Sequence, residues 1–199
     1  MVLKRCFYVR SDVVTIAREL LGKYLFTQID GIITGGIITE TEAYAGEEDR
    51  ASHAWNGRRT ERTEVMYRAG GIAYIYLCYG VHSLFNVVTN RKEIPHAILV
   101  RGIQPVDGIG TILERLGKAK YSGGMIDGPG KVTKALGIHY SQTGTDLGVK
   151  PENPRTNGIW IEDRKFDLSE YRLEVTPRIG VDYAGSDAKL PYRFILHIK

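Results

Sequence analysis

The amino-acid sequence predicts an α+β fold, a single compact domain built around a curved, mainly antiparallel sheet with flanking helices. Three observations carry this expectation. Short runs rich in Val, Ile, Tyr and Phe, bounded by turn residues, outnumber stretches of helical periodicity. Asp30-Gly31 and Tyr79-Gly80 each turn one such run back toward the next. The 199 residues contain no repeat, linker or low-complexity tract and match the length of one large domain, expected to span residues 1–199.

Each element has its own local reason. Ser11 and Asp12 are suited to cap a helix whose apolar positions Val13, Ile16, Ala17, Leu20 and Leu21 recur at helical spacing, with Gly22 ending it. Residues 24–29 and 32–41 read as strands joined at Asp30-Gly31. Residues 46–71 are polar, charged and turn-rich, and a segment that long without periodicity hints at function. Residues 72–78 form a strand of aromatic and branched side chains, followed by a corner at Tyr79-Gly80 and further strands over 84–89 and 97–103. Helices are predicted over 107–116 and about 130–136, an irregular stretch over 144–158, and late strands over 159–161, 172–176 and 192–198.

Composition narrows the class of protein. Hydrophobic residues at 43% and charged residues at 25% are ordinary for a soluble globular chain, and no run of about 18 apolar residues offers a membrane span. The N-terminus turns polar by Lys4 and Arg5, without the apolar stretch of a secretory signal. Cys6 and Cys78 are too few for a disulfide framework or a Cys-based zinc site. The expected compartment is reducing and cytoplasmic. A formal charge of +4 and a pI near 9.0 permit nucleic-acid binding without establishing it. Arg50, Arg58, Arg59, Arg62 and Arg68 fall in one stretch, but acidic residues interleave, and alone this reads as a solvated mixed-charge loop.

Glu40 and Glu42 flank Thr41 at the end of a predicted strand. Alternate strand residues share a face, which puts the two carboxylates about 7 Å apart on one side. At a separation of about 6.5–9.5 Å, paired carboxylates activate water and assist a leaving group in inverting glycoside hydrolysis. An isolated E-x-E is far more often a solvated strand face paired with Arg or Lys, so its company matters. Tyr44 continues the same face, His53 follows a short loop later, Tyr74 and Tyr76 share a face of another strand, and Tyr79 stands at a glycine corner. Tyr74 reads first as core packing. Tyr44, Tyr76 and Tyr79 are able to form a slot that stacks a planar base on both sides. A lone His such as His53 is more often structural, but here it would offer a donor to a purine edge. Gly128-Pro129-Gly130-Lys131 precedes a predicted helix whose free N–H groups suit a phosphate, although the same string is frequently just a turn. The scattered His and Cys residues have no ligand spacing, so no metal or other cofactor is expected.

Taken in order, these segments resemble the alkyladenine (3-methylpurine) DNA glycosylase family. Residues 38–44, Ile-Thr-Glu-Thr-Glu-Ala-Tyr, look like the family's ETEAY strand, with His53 at the expected distance. Residues 74–80, Tyr-Ile-Tyr-Leu-Cys-Tyr-Gly, look like its YxYxxYG hairpin, and Leu84-Phe85-Asn86-Val87 like the strand that follows. Ala97-Ile98-Leu99-Val100-Arg101, Asp127-Gly128-Pro129-Gly130-Lys131-Val132, Arg178-Ile179-Gly180-Val181 and Pro191-Tyr192-Arg193-Phe194 match later motifs, and the likeness runs from about residue 5 to the C-terminus.

The resemblance implies hydrolysis of the N-glycosidic bond of a damaged purine flipped out of double-stranded DNA, by an enzyme that acts as a monomer without an obligate protein partner. Glu42 would activate the attacking water, with Arg101 and backbone groups around Val181 holding it. Tyr44 and Tyr76 would sandwich the base, with His53 at its edge and Asn86 excluding the 2-amino group of guanine. Tyr79 would fill the gap in the duplex, and Lys131 would contact the DNA backbone. The 50–68 loop shares the spacing of Gly57 and Arg58 but differs in detail, so a DNA contact by Arg58 rests on less; Glu40 is left as a supporting residue. No lysine occupies a matched catalytic position, so a Schiff-base lyase step is not expected. In a prokaryote the enzyme would associate with the nucleoid. A non-catalytic lesion-binding module using the same slot, or a sugar hydrolase using Glu40 and Glu42, would be the alternatives; no polar clamp surrounds Trp55 or Trp160 in sequence to favour the latter.

Overall fold

The structure, a computed structural model, describes residues 1–121 and 126–198. Two helices open the chain, α1 (Arg5–Tyr8) and α2 (Val13–Leu20). Asp12 starts α2, its carboxylate accepting the Val14 and Thr15 N–H groups at 3.0 Å, which satisfies two donors that a helix end leaves free. The hairpin of β1 (Tyr24–Ile29) and β2 (Ile32–Tyr44) follows. Asp30 and Gly31 turn it with φ of 52° and 80°, the left-handed pair that a two-residue hairpin loop requires. Next come β3 (Ile72–Cys78), β4 (His82–Thr89), β5 (His96–Asp107), α3 (Ile109–Leu116), β6 (Ile126–Asp127), α4 (Pro129–Leu136), β7 (Gly158–Glu162), β8 (Tyr171–Thr176) and β9 (Arg193–Ile198).

Most expected elements are present, several of them longer. β5 reaches Asp107, rather than leaving that residue to a helix, because Pro105 and Asp107 pair with Gly36 and Gly35 of β2. The 46–71 segment contains three short helical turns, Gly46–Glu48, Trp55–Gly57 and Glu64–Tyr67. α1, β6 and the turns at Asp182–Lys189 were not visible in the sequence pattern.

The strands pair antiparallel in the order β3-β4-β5-β2-β1-β7, with β6 added to β5 and β9 bridging β2 and β8. β2 is the hinge of this sheet. Its first half pairs with β1, and at Glu40 β9 takes over, so Glu40, Thr41 and Glu42 lie between β5 and β9 in the sheet interior. Two irregularities face each other here. Ile38 pairs with Ile103 and Glu40 with Gly102, which leaves Thr39 as an extra residue; Thr41 then pairs with Val100, which leaves Arg101 as another. Such bulges bend a ladder and re-aim the side chain they carry. Gly102 makes the close approach possible, since a Cβ there would stand 2.9 Å from the Glu40 Cβ and 2.8 Å from the Thr39 hydroxyl.

Strand alternation divides the sheet into two faces. Ile38, Ala43, Ala73, Ile75, Phe85, Val87, Ile98 and Val100 pack into the main core with Ile16, Leu20, Val132 and Leu136 of the helices. On the opposite face Ile72, Tyr74, Val88 and Ala97 pack beneath Ala54, Val65, Met66 and Tyr67 of the 46–71 segment. Among the described residues no helix is long and apolar enough to cross a membrane.

Candidate active site

The residues that the alternation assigns to the face away from the helices converge. A cavity of about 320 Å³ lies against that face; its wall includes Tyr44, Tyr76, Asn86 and Arg101 from the strands, with His53 and Val181 from the segments laid over them. Tyr79, 95% exposed at the β3–β4 turn, reaches the same cavity. Its φ of 51° is strained for an aromatic residue, and strain of this kind gathers at functional positions.

Glu42 stands one layer behind the cavity wall and is fully buried (0% exposed). Three lining groups surround its carboxylate. The Tyr44 hydroxyl donates to Oε2 at 2.8 Å, the Ile179 N–H donates to Oε1 at 2.8 Å, and Arg101 Nε lies 3.4 Å from Oε1. Burial raises the Glu42 carboxyl above the usual carboxylate range, opposed by Arg101, the Ile179 N–H and the Tyr44 hydroxyl and assisted by Glu40. A raised carboxyl with lone pairs still open is a stronger base than a solvated one.

Arg101 reaches this position because it is the bulged residue of β5. Its Nε donates to Glu40 Oε1 at 2.8 Å, and Arg193 Nε of β9 donates to the same oxygen at 2.6 Å. Glu40 is therefore buried and doubly paired, not on a solvated strand face. The two carboxylates do share a side, as period-two spacing requires, but Glu40 is closed by two guanidiniums where an inverting sugar hydrolase needs an available acid.

The aromatic wall is built from side-chain pairs. The His53 ring stands edge-on to Tyr76, with centroids 4.6 Å apart, and Tyr74 and Tyr76 are tilted neighbours at 5.5 Å. His53 Nδ1 and the Tyr74 hydroxyl are 2.8 Å apart, so Tyr74 is core and site at once. Asn86 donates its amide to the carbonyls of Tyr74 and Leu84, which fixes its orientation in the wall.

Burial, reinforced by Arg62 and Arg58, pushes the His53 imidazole down to about 4, so it is neutral near pH 7. The unfolded chain takes up this proton near the ordinary histidine value of about 6.5. The stability contributed by neutral His53 is complete above that value and is lost as pH falls toward 4. Thermal melts across this window should therefore decline less steeply for His53→Gln than for the wild type. Identical slopes would mean that His53 titrates alike in both states.

Behind Tyr44 lies a buried ion pair that the sequence reading did not assign. Arg178, 5% exposed, forms a two-pronged contact with Asp49 and donates to the carbonyls of Ala43 and Asp187 at 2.9 and 3.1 Å. Its guanidinium sits 4.8 Å from the Tyr44 ring centroid and 5.3 Å from that of Tyr192. One side chain thus ties the strand carrying Glu42 to the segment carrying His53, while the next residue, Ile179, binds the Glu42 carboxylate.

Two further hollows flank the cavity. One of about 640 Å³ joins Tyr79 to Lys131 and Lys134 of α4. The other, of about 380 Å³, shares His53 and Tyr183 with the main cavity and adds Arg50, Arg58 and the half-exposed Trp55. Lys131 and Arg58 thus lie outside the central cavity, on different sides of it. Among the described residues no group of three or more His, Cys, Asp or Glu side chains converges in a way that could hold a metal ion.

The sequence pattern of the methylpurine-DNA glycosylase family matches residues 6–199. The chain belongs to this family. It is accordingly a hydrolase of N-glycosyl bonds that acts on DNA. Relatives agree over nearly their full lengths. A Chlamydia abortus protein named as a 3-methyladenine DNA glycosylase is 45% identical over 198 residues, covering 99% of each chain. A Chlamydia pneumoniae protein so named is 42% identical, covering 98% of this chain and 94% of its own. One from Bacillus cereus, named likewise, is 41% identical, covering 94% and 92%.

In this glycosylase the residues missed by sequence reasoning are those defined by partners far along the chain. Arg178 was visible within a motif, but no local pattern pointed to Asp49, which is 129 positions away. Arg193 and Tyr183 likewise acquire their place from tertiary contact. Tyr74 did carry a signal, since it shares a strand face with Tyr76.

Proposed function

We propose that this glycosylase removes alkylated or deaminated purines, of the 3-methyladenine, 7-methylguanine, hypoxanthine and ethenoadenine class, from double-stranded DNA. It rotates the damaged nucleotide out of the duplex and hydrolyses its glycosidic bond with a water deprotonated by Glu42. The observation that carries this reading is the Glu42 carboxylate, buried and raised, held by three groups that themselves line an aromatic cavity.

Extruding a base costs a few kcal/mol, least for a damaged or poorly paired one, and stacking on Tyr44 and Tyr76 returns about 1–3 kcal/mol per ring. Tyr79 occupies the vacated position in the duplex, which its exposure at a strained turn supports. His53 meets the edge of the base as a neutral ring. Asn86, its amide engaged by two carbonyls, is a rigid barrier to the 2-amino group of guanine. Arg101 and the backbone around Val181 orient the water. Lys131 and Arg58 contact backbone phosphates on different sides of the site. A purine alkylated at N3 or N7 is cationic and leaves readily, so a single base suffices for it. The whole chain works as one catalytic domain and as a monomer, with no protein partner required and no cofactor in any step.

Duplexes containing one 3-methyladenine, hypoxanthine or ethenoadenine should yield free base and an intact abasic strand, with no borohydride-trapped protein–DNA adduct. A trapped adduct would replace water by an amine nucleophile. Binding without release would leave a lesion-recognition module.

A further inference from the structure

Four buried or half-buried charges meet where β2, β5 and β9 run side by side. Glu40 receives both Arg101 Nε, at 2.8 Å, and Arg193 Nε, at 2.6 Å, on one carboxylate oxygen. Glu42 stands farther from the same Arg101 atom, at 3.4 Å. An arginine between two carboxylates goes preferentially to the one that binds it better, and a carboxylate gripped by a guanidinium is a poor proton acceptor. Resting on the base role proposed above for Glu42, we infer that Glu40 is a positioning residue: it draws Arg101 away from Glu42, with Arg193 sharing its charge, so that the Glu42 carboxylate stays open to water.

The alternatives for Glu40 are narrower than its motif implied. Its carboxylate is engaged by two guanidiniums, whereas Glu42 is held by the cavity-lining Tyr44 and Ile179 groups, so Glu40 is directed at Arg101 and Arg193 and not at the cavity wall. Its position is also specific. Only the paired bulges at Thr39 and Arg101 bring this guanidinium between the two carboxylates, and Gly102 is needed for that approach.

The groups facing Glu42 come from five directions: Glu40 and Tyr44 on its own strand, Arg101 on β5, Tyr76 on β3, Arg178 and Tyr183 from the 178–183 segment, and Arg193 of β9 beside Glu40. Arg101 lowers the Glu42 carboxyl and Glu40 raises it. Removing either member of the Glu40–Arg193 pair therefore shifts the Glu42 titration in a direction fixed by the charge removed.

The test is the pH dependence of single-turnover base release, in which the acid limb reports protonation of Glu42. Glu40→Gln releases Arg101 onto Glu42; the limb should move down by roughly one pH unit and the plateau fall about tenfold. Arg193→Gln removes a cation from Glu40, and the limb should move up. Glu40→Asp keeps the charge and should leave the limb near its wild-type position. Binding of lesion-bearing DNA, read by fluorescence anisotropy, should change less than about twofold in all three, since each change is confined to the proton-transfer step. Limbs that stay in place, or that move in the same direction for Glu40→Gln and Arg193→Gln, would overturn the assignment, because a merely structural residue lowers activity without moving a titration. Should Glu40→Gln fail to fold, Arg193→Gln alone decides, an upward limb supporting the inference and an unmoved one refuting it. A fully active Glu42→Gln enzyme would instead remove the reading beneath it, whereas an inactive one beside an unmoved Glu40→Gln limb would remove only the role of Glu40.

Discussion

Replacing Glu42 with glutamine should stop base release by at least 10²–10⁴-fold, the range for losing a general base, while leaving affinity for lesion-bearing DNA intact. Glutamine has the same shape and keeps an acceptor for the Ile179 N–H, and its amide can donate to the Tyr44 hydroxyl, which is also an acceptor. Tyr44 and Tyr76 therefore retain their places in the cavity wall, and the energy of stacking is preserved. What disappears is the negative charge to which the proposed mechanism assigns the proton taken from water. Single-turnover assays with enzyme in excess separate the two effects, because binding is complete before chemistry begins. Near-full activity in this variant would exclude Glu42 from the proton-transfer step.

Arg178→Ala is expected to be the most damaging substitution for stability. It leaves Asp49 buried with its charge unmatched, and breaking a buried pair from one side typically costs about 3–5 kcal/mol. In a chain of this size each kcal/mol lowers Tm by about 2–4 °C, so a drop of roughly 10 °C is expected. The loss should reach the cavity as well, since Tyr44 loses the guanidinium beside its ring and the 178–181 segment loses its anchor to Ala43. Combining Arg178→Met with Asp49→Asn should recover part of the stability, because no unpaired charge remains inside. A melt of Arg178→Ala within a degree or two of the wild type would show that Asp49 is neutralised by other means.

How much of this was legible in the sequence follows from the range over which each feature is determined. The period-two alternation of Glu40, Glu42 and Tyr44, and of Tyr74 and Tyr76, gave the correct faces, because side-chain direction in a strand is a local property. The Asp30-Gly31 turn was equally local. The bulges at Thr39 and Arg101 were invisible, since a bulge exists only in the pairing of two strands and neither sequence is irregular by itself. The burial of Glu40 was not legible for the same reason: its surroundings depend on β9, which arrives from 153 positions away. The start of α3 was placed two residues early because Val106 and Asp107 continue a strand whose partner, not its composition, sets its length.

The late arrival of β9 beside β2 has a consequence for how the molecule acquires its activity. Glu42 is held by a residue 137 positions downstream, and Glu40 by one still farther along. Contacts of such sequence separation form slowly, because chain entropy must be lost before they contribute. During synthesis from the N-terminus, the segment bearing Glu40 and Glu42 emerges with one side of its backbone unsatisfied, and it stays so until residues 193–198 have been delivered. On the mechanism proposed for Glu42, the nascent protein thus lacks hydrolytic competence until β9 has emerged, and its vulnerable period for misassociation is the interval in which that flank of β2 awaits its partner.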